Sequence, residues 1–148
     1  MKIRSERGTS AIILTPKEKG PDGSIKASVT VTSEGFVGIN RKVWLSPLAL
    51  KAFLEQLRTL NEYRKGEALI EALSPKEFRL AIRITDLSGH VSAFVDIAQL
   101  RSVFGRWAKN SLSVEFALDP SLLPHYLAEA ECFACSEGKP EGREKARP

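Results

Sequence analysis

Apolar and polar residues alternate with a period of two over 25–31, where Lys26, Ser28 and Thr30 separate Ile25, Ala27, Val29 and Val31. That is the pattern of a half-buried strand. A second strand is expected over Phe36–Leu45, with Val37, Ile39, Val43 and Leu45 on one side. Ser33-Glu34-Gly35 reads as a three-residue hairpin loop, its glycine supplying the left-handed third position. This register sets Val31 opposite Val37 and Val29 opposite Ile39. Ala11–Thr15 can add an edge strand before a turn at Gly20-Pro21-Asp22-Gly23.

The spacing then changes to three and four. Leu50, Phe53, Leu54, Leu57 and Leu60 form one helical stripe. Ser46 suits the N-cap and Pro47 the first helical position, and Gly66 is a plausible stop. Ala68–Leu73 is a short strand, followed by a turn at Ser74-Pro75-Lys76. Phe78, Leu80, Ile82 and Ile84 alternate with polar residues, as do Val91, Ala93, Val95 and Ile97. Pairing Thr85 with His90 across Asp86-Leu87-Ser88-Gly89 places Ile84 opposite Val91 and Phe78 opposite Ile97. Arg83 then faces Ser92, and Arg79 faces Asp96. A last strand, Leu112–Leu118, points Leu112, Val114, Phe116 and Leu118 inward, and Asp119-Pro120 opens a terminal helix carrying Leu122, Leu123, Tyr126, Leu127 and Ala130. The fold class is therefore α+β: an antiparallel sheet of six to seven strands with two amphipathic helices, in the order β(β)β-α-ββββ-α. No internal repeat is evident.

A chain of 148 residues is of single-domain size and can bury about 70% of its unfolded surface. The division expected is a flexible N-terminus over 1–10, one domain over 11–135, and a disordered charged tail over 136–148. No apolar run near the start is long enough for a signal sequence or a membrane span. A cytoplasmic protein with reduced cysteines is expected. The net charge of +4 is spread: residues 1–24 hold five Lys/Arg against three acids, 136–148 four against three, and 25–135 thirteen against twelve. Most of the excess thus falls in the end segments.

Candidate chemistry is sparse. Cys132-Phe133-Ala134-Cys135 has redox spacing, but it lies at the wrong end of a helix for a lowered thiol pKa. A structural zinc would need two further ligands, so Cys132 and Cys135 are only bare metal candidates. His90 and His125 stand at no triad spacing. The glycines form no phosphate-cradling loop. No catalytic residue and no cofactor is assigned.

Two surfaces are candidates for binding. Arg79, Arg83, Phe94, Asp96 and Glu115 share one sheet face and give the mixture typical of a protein interface. The alternative to partner binding is a solvated face with charges paired across strands. The segment Ala98–Ser111 places Leu100, Val103, Phe104 and Trp107 at helical spacing beside Arg101, Arg106 and Lys109. A basic segment interleaved with aromatics can grip a nucleic-acid backbone and stack bases. The competing expectation is an amphipathic helix packed on the sheet, weakened by Gly105.

Trp44-Leu45 followed by Leu48, Leu50, Phe53, Leu54 and Leu57 opens a wider pattern. Gly89-His90, and Val114-Glu115-Phe116-Ala117-Leu118-Asp119 leading into a leucine-rich helix, continue it. Over residues 25–131 the succession resembles small bacterial immunity proteins of the WapI type. The resemblance implies a bacterial cytosolic protein that neutralises a toxin by binding it, without catalysis. It carries no specific residue roles. The near-neutral body differs from the acidic character common in immunity proteins against nucleases. The leading expectation is thus a non-enzymatic protein-binding domain. A nucleic-acid-associated module using 98–111 and the basic ends is the alternative.

Overall fold

The structure, a computed structural model, describes residues 1–136; most of the tail expected over 136–148 lies outside the described residues. Eight strands and two helices form one hydrophobic core. The strands are β1 (Lys2–Arg4), β2 (Ser10–Lys19), β3 (Ile25–Ser33) and β4 (Phe36–Leu45), then β5 (Glu67–Glu71), β6 (Phe78–Ile84), β7 (Val91–Val103) and β8 (Arg106–Leu118). Helix α1 (Pro47–Tyr63) follows β4, and α2 (Leu123–Ala134) closes the described chain after a short 3₁₀ turn at Pro120–Leu122. In place of one six-to-seven-stranded sheet, the strands make two four-stranded antiparallel sheets, β1-β2-β3-β4 and β5-β6-β7-β8. Each half of the chain runs four antiparallel strands and then a helix, so the topology repeats where the sequence shows no repeat. Lys2–Arg4, within the segment expected to be flexible, pairs with β2 and buries Ile3. No helix among the described residues is long and apolar enough to cross a membrane.

Helix α1 forms as its sequence directs. The Ser46 hydroxyl accepts from the Ala49 amide at 3.1 Å, and Pro47 takes the first turn. Leu50, Phe53, Leu57 and Leu60 are buried. The helix stops at Arg64, two residues before the expected glycine: Arg64 adopts φ 54° and its amide donates to the Leu60 carbonyl. Helix α2 turns Leu123, Tyr126, Ala130 and Phe133 into the same core. Asn40 Nδ2 donates to Ala98 C=O at 2.8 Å from sheet to sheet, and two bonds from connecting segments tie the halves together: Leu73 N–H to Trp44 C=O at 2.9 Å and Glu6 N–H to Ala117 C=O at 2.8 Å.

The β3–β4 register differs from expectation by one residue. Glu34 and Gly35 both take positive φ, 45° and 95°, and close a two-residue turn of the kind whose twist suits a hairpin. Val31 therefore faces Gly38 and Thr30 faces Ile39. The slip turns Val37 and Ile39 outward, 64% and 40% exposed, beside Phe36. An extra residue on β4 between Asn40 and Val43 then restores the inward phase, so Val43 and Leu45 are buried. This is the bulge's effect on a period of two. Asn40 Oδ1 accepts from the Lys42 amide there at 3.0 Å.

Candidate functional site: a projecting arm and a mixed-charge sheet face

In the second sheet the expected register holds. Ile84 faces Val91, Phe78 faces Ile97, Arg83 faces Ser92 and Arg79 faces Asp96. β6 ends its pairing with β7 at the Phe78–Ile97 pair, yet β7 and β8 continue together to the pair Val103–Arg106. Residues 98–111 are therefore neither a helix nor packed on the sheet. They are a two-stranded arm reaching about 20 Å beyond β6, at ~3.3 Å per residue. The helical spacing of Leu100, Val103, Phe104 and Trp107 is coincidental: these side chains are 44%, 36%, 101% and 79% exposed. No residue from Gln99 to Asn110 is buried.

The tip is a Phe104-Gly105 turn, with φ of 50° and 76°. Such a turn favours Asn or Asp at its first position, whereas a bulky side chain is strained in the left-handed region. Phe104 stands there fully in solvent, so neither local geometry nor burial accounts for it. The strict alternation of the ladder splits the arm into two faces. One bears Leu100, Trp107 and Lys109. The other bears Arg101, Val103 and Arg106. The root is held by the Asn40–Ala98 bond and by a donation from the Ala98 amide to the Glu77 carbonyl at 3.0 Å. Gly38 of β4 lies against Ile97 and Leu112. A groove of about 240 Å³ runs there between Val37–Ile39 and the arm's base.

Charge is concentrated on this element. Arg101, Arg106 and Lys109 have no acid among residues 98–111, while the other described residues carry 15 Lys/Arg and 15 Asp/Glu. The arm thus carries three cations and no acid, the N-terminal segment keeps its excess of two, and the rest of the described chain is slightly acidic.

Arg79, Arg83, Phe94, Asp96 and Glu115 do share one outward face of β6–β8. Their charges are largely engaged. Arg79 lies 3.6 Å from Glu71 rather than on its cross-strand neighbour Asp96, whose carboxylate accepts from Ser113. Glu115 accepts from the Ser92 hydroxyl at 3.4 Å. The Arg83 guanidinium lies 5.7 Å from the Phe94 ring centroid, and its Nε is 3.9 Å from Glu67 without a hydrogen-bond partner among the described residues. Both candidate surfaces thus occupy the β7–β8 ribbon, with Phe94 and Trp107 on the same side of it.

Four titratable groups with displaced pKa values, Asp22, Asp86, His90 and Asp119, sit in or beside turns. His90 Nδ1 is 2.6 Å from Asp86. The bond to His90 holds the Asp86 carboxyl below the usual range, and the bond to Asp86 lifts the imidazole above its ordinary value. Hydrogen bonds from Ser24 and from Ser121 lower Asp22 and Asp119. Burial raises the Tyr126 phenol, which donates to the Arg4 carbonyl at 3.1 Å. His125 pairs with Glu129 at 3.7 Å on the exposed side of α2. Cys132 and Cys135 are free and exposed at the C-terminal end of α2. Among the described residues no group of three or more His, Cys, Asp or Glu is placed to hold a metal ion. Against family models, curated proteins and solved structures, the chain has no match.

Proposed function

We propose that the chain is a non-enzymatic binding domain, and that the arm of residues 98–111 is its recognition element for nucleic acid. One observation carries the reading: three cations with no acid among them and the most exposed aromatic side chains occupy the same projecting ribbon. Cations clustered on one element, without intervening carboxylates, suit a phosphate backbone. Exposed ring faces beside them suit bases. This promotes the alternative of the sequence reading over its leading one, because the mixed-charge face satisfies most of its own charges.

The test is fluorescence anisotropy with labelled mixed-sequence oligonucleotides, single-stranded and duplex, between about 50 and 200 mM salt. Three to four phosphate contacts predict a log–log salt slope of about −2 to −4. Reversing Arg101, Arg106 and Lys109 to Glu together abolishes binding, and Arg83→Glu leaves it in place. No binding, or binding indifferent to salt, overturns the proposal.

A second reading is protein recognition through the sheet face, as the immunity resemblance implies. The half-exposed Arg83–Phe94 pair favours it, since Arg and aromatic residues dominate binding energy at interfaces. A protein partner that survives nuclease treatment and is lost with Arg83→Glu would support this reading against the first.

A further inference from the structure

The outer face of the β7–β8 ribbon does not end where the arm leaves the sheet. Pairing without a bulge from Val91 to Val103 keeps Trp107 and Lys109 on the side that carries Phe94 and its neighbour Arg79. Between arm and body lies a shallow depression of about 470 Å³, lined by Lys76, Arg79 and Lys109 together with Ser111 and Ser113. Glu71 and Asp96 also line it. Glu71 lies against Arg79, and Asp96 accepts from Ser113. Lys76 and Lys109 have no carboxylate partner among the described residues. They come from different elements, the β5–β6 turn and the arm, so their meeting is a product of the fold.

Resting on the arm reading above, we propose that the partner is a single strand laid along this outer face. A base stacks on Trp107, and the following phosphates pass Lys109 and Lys76 into the depression. The indole at 79% exposure can give its ring face only to a base already out of a stack, which single strands supply and duplexes withhold. On this face Lys109 and Lys76 form one file of cations, which matches one backbone, while Arg101 and Arg106 lie on the other face. Because every base has a π-face, the grip is tolerant of sequence.

The experiment uses the full chain with one labelled mixed-sequence strand, free and annealed to its complement. The single strand binds about tenfold tighter or more, and saturation quenches the indole emission that Trp107→Phe alters. Trp107→Ala weakens single-strand binding at least about fivefold, while Trp107→Phe retains most of it. Lys76→Ala and Lys109→Ala each reduce the single-strand salt slope by about 0.7. Equal or tighter duplex binding, with Phe104→Ala costing more than Trp107→Ala, would make the tip a groove wedge. That result overturns the single-strand inference and leaves the arm reading standing. Full single-strand affinity in Trp107→Ala overturns it as well. Failure of both oligonucleotides to bind, with arm charge reversal silent, removes the arm reading itself.

Discussion

A single methyl group added at Gly38 probes how the arm is rooted. A Cβ on this residue would stand 3.1 Å from Leu112 Cδ2, 3.3 Å from Leu112 Cβ and 3.3 Å from Ile97 Cγ2, well inside the 3.5–4.0 Å of relaxed carbon contact. Ile97 and Leu112 pair directly across β7 and β8 at the arm's base, so the intrusion presses on both strands at once. The Leu112 methyl can rotate away, but its Cβ is fixed to the backbone. Overpacking of this kind costs about 1–3 kcal/mol. Replacing a strand glycine returns about 0.5–1 kcal/mol of chain entropy. Gly38→Ala should therefore destabilise by about 0.5–2 kcal/mol, and Gly38→Val by more. Urea unfolding followed by circular dichroism should show a lower midpoint at unchanged slope. The contact itself is isolated by a double-mutant cycle: Leu112→Ala removes the closest methyl, and the double variant should be more stable than additivity predicts by about 0.5 kcal/mol or more. A stabilised Gly38→Ala with an additive cycle would show that β4 does not bear on the arm's root.

Asn40→Ala removes both the donor to the Ala98 carbonyl and the acceptor for the Lys42 amide. With Asn40 buried, about 1–3 kcal/mol should be lost, read as a lower urea midpoint, and a near-neutral result would refute the anchoring role. An NMR titration should place the His90 midpoint above the 6.5 of an unperturbed imidazole, and Asp86→Asn should return it there. Because the folded value is raised, the pair's contribution is whole below the unfolded value and fades as pH rises through the folded one. Asp86 works from the other side, losing its contribution as pH falls through its depressed value. Replacing residues 99–110 with Asn-Gly should leave a cooperative melt within a few degrees of wild type, since none of those residues is buried. A collapsed melt would give the arm a part in the fold.

Legibility followed the strength of each local signal. Ser46, Pro47 and the stripe from Leu50 to Leu60 specify α1 at the level of caps and periodicity, and the helix forms accordingly. The β6–β7 register was readable because one face is buried, so a slip would cost every apolar contact. The β3–β4 register was not, because Glu34-Gly35 lacks the Asn or Asp that marks a two-residue turn, and the Arg41–Lys42 bulge hides the phase change further along β4. The arm failed for a related reason. Both its faces meet water, so the apolar alternation that marks β7 fades after Ala98, and four exposed apolar residues happen to fall at helical intervals. Phe104-Gly105, a residue–glycine pair between two β-rich runs, was the available signal. The division into two sheets depends on non-local contacts such as Gly38 against Ile97 and Leu112, which no single window of sequence contains. Of the sites, the shared face of Arg79, Arg83 and Phe94 was legible from alternation. Its continuity with Trp107 and Lys109, and the contribution of Lys76, required the folded chain.

The second sheet is complete without the arm. Its core pairs run from Val91–Leu118 to Ile97–Leu112, and a tight turn after Ala98 would close the ribbon with every buried residue in place. Instead the strands continue, expose Leu100, Phe104 and Trp107, and set a phenylalanine in left-handed backbone where asparagine would be easier. A two-stranded ribbon has little stability of its own, so the body must supply it through the Asn40 bond, the Glu77 carbonyl and the Gly38 contact. An element that gains no burial, carries strain at its tip and holds three cations with no acid is poorly explained by folding. The proposed contact with an anionic partner would account for all three properties together: burial would come on binding, the ring at the tip would gain something to meet, and the cations would gain counter-charges.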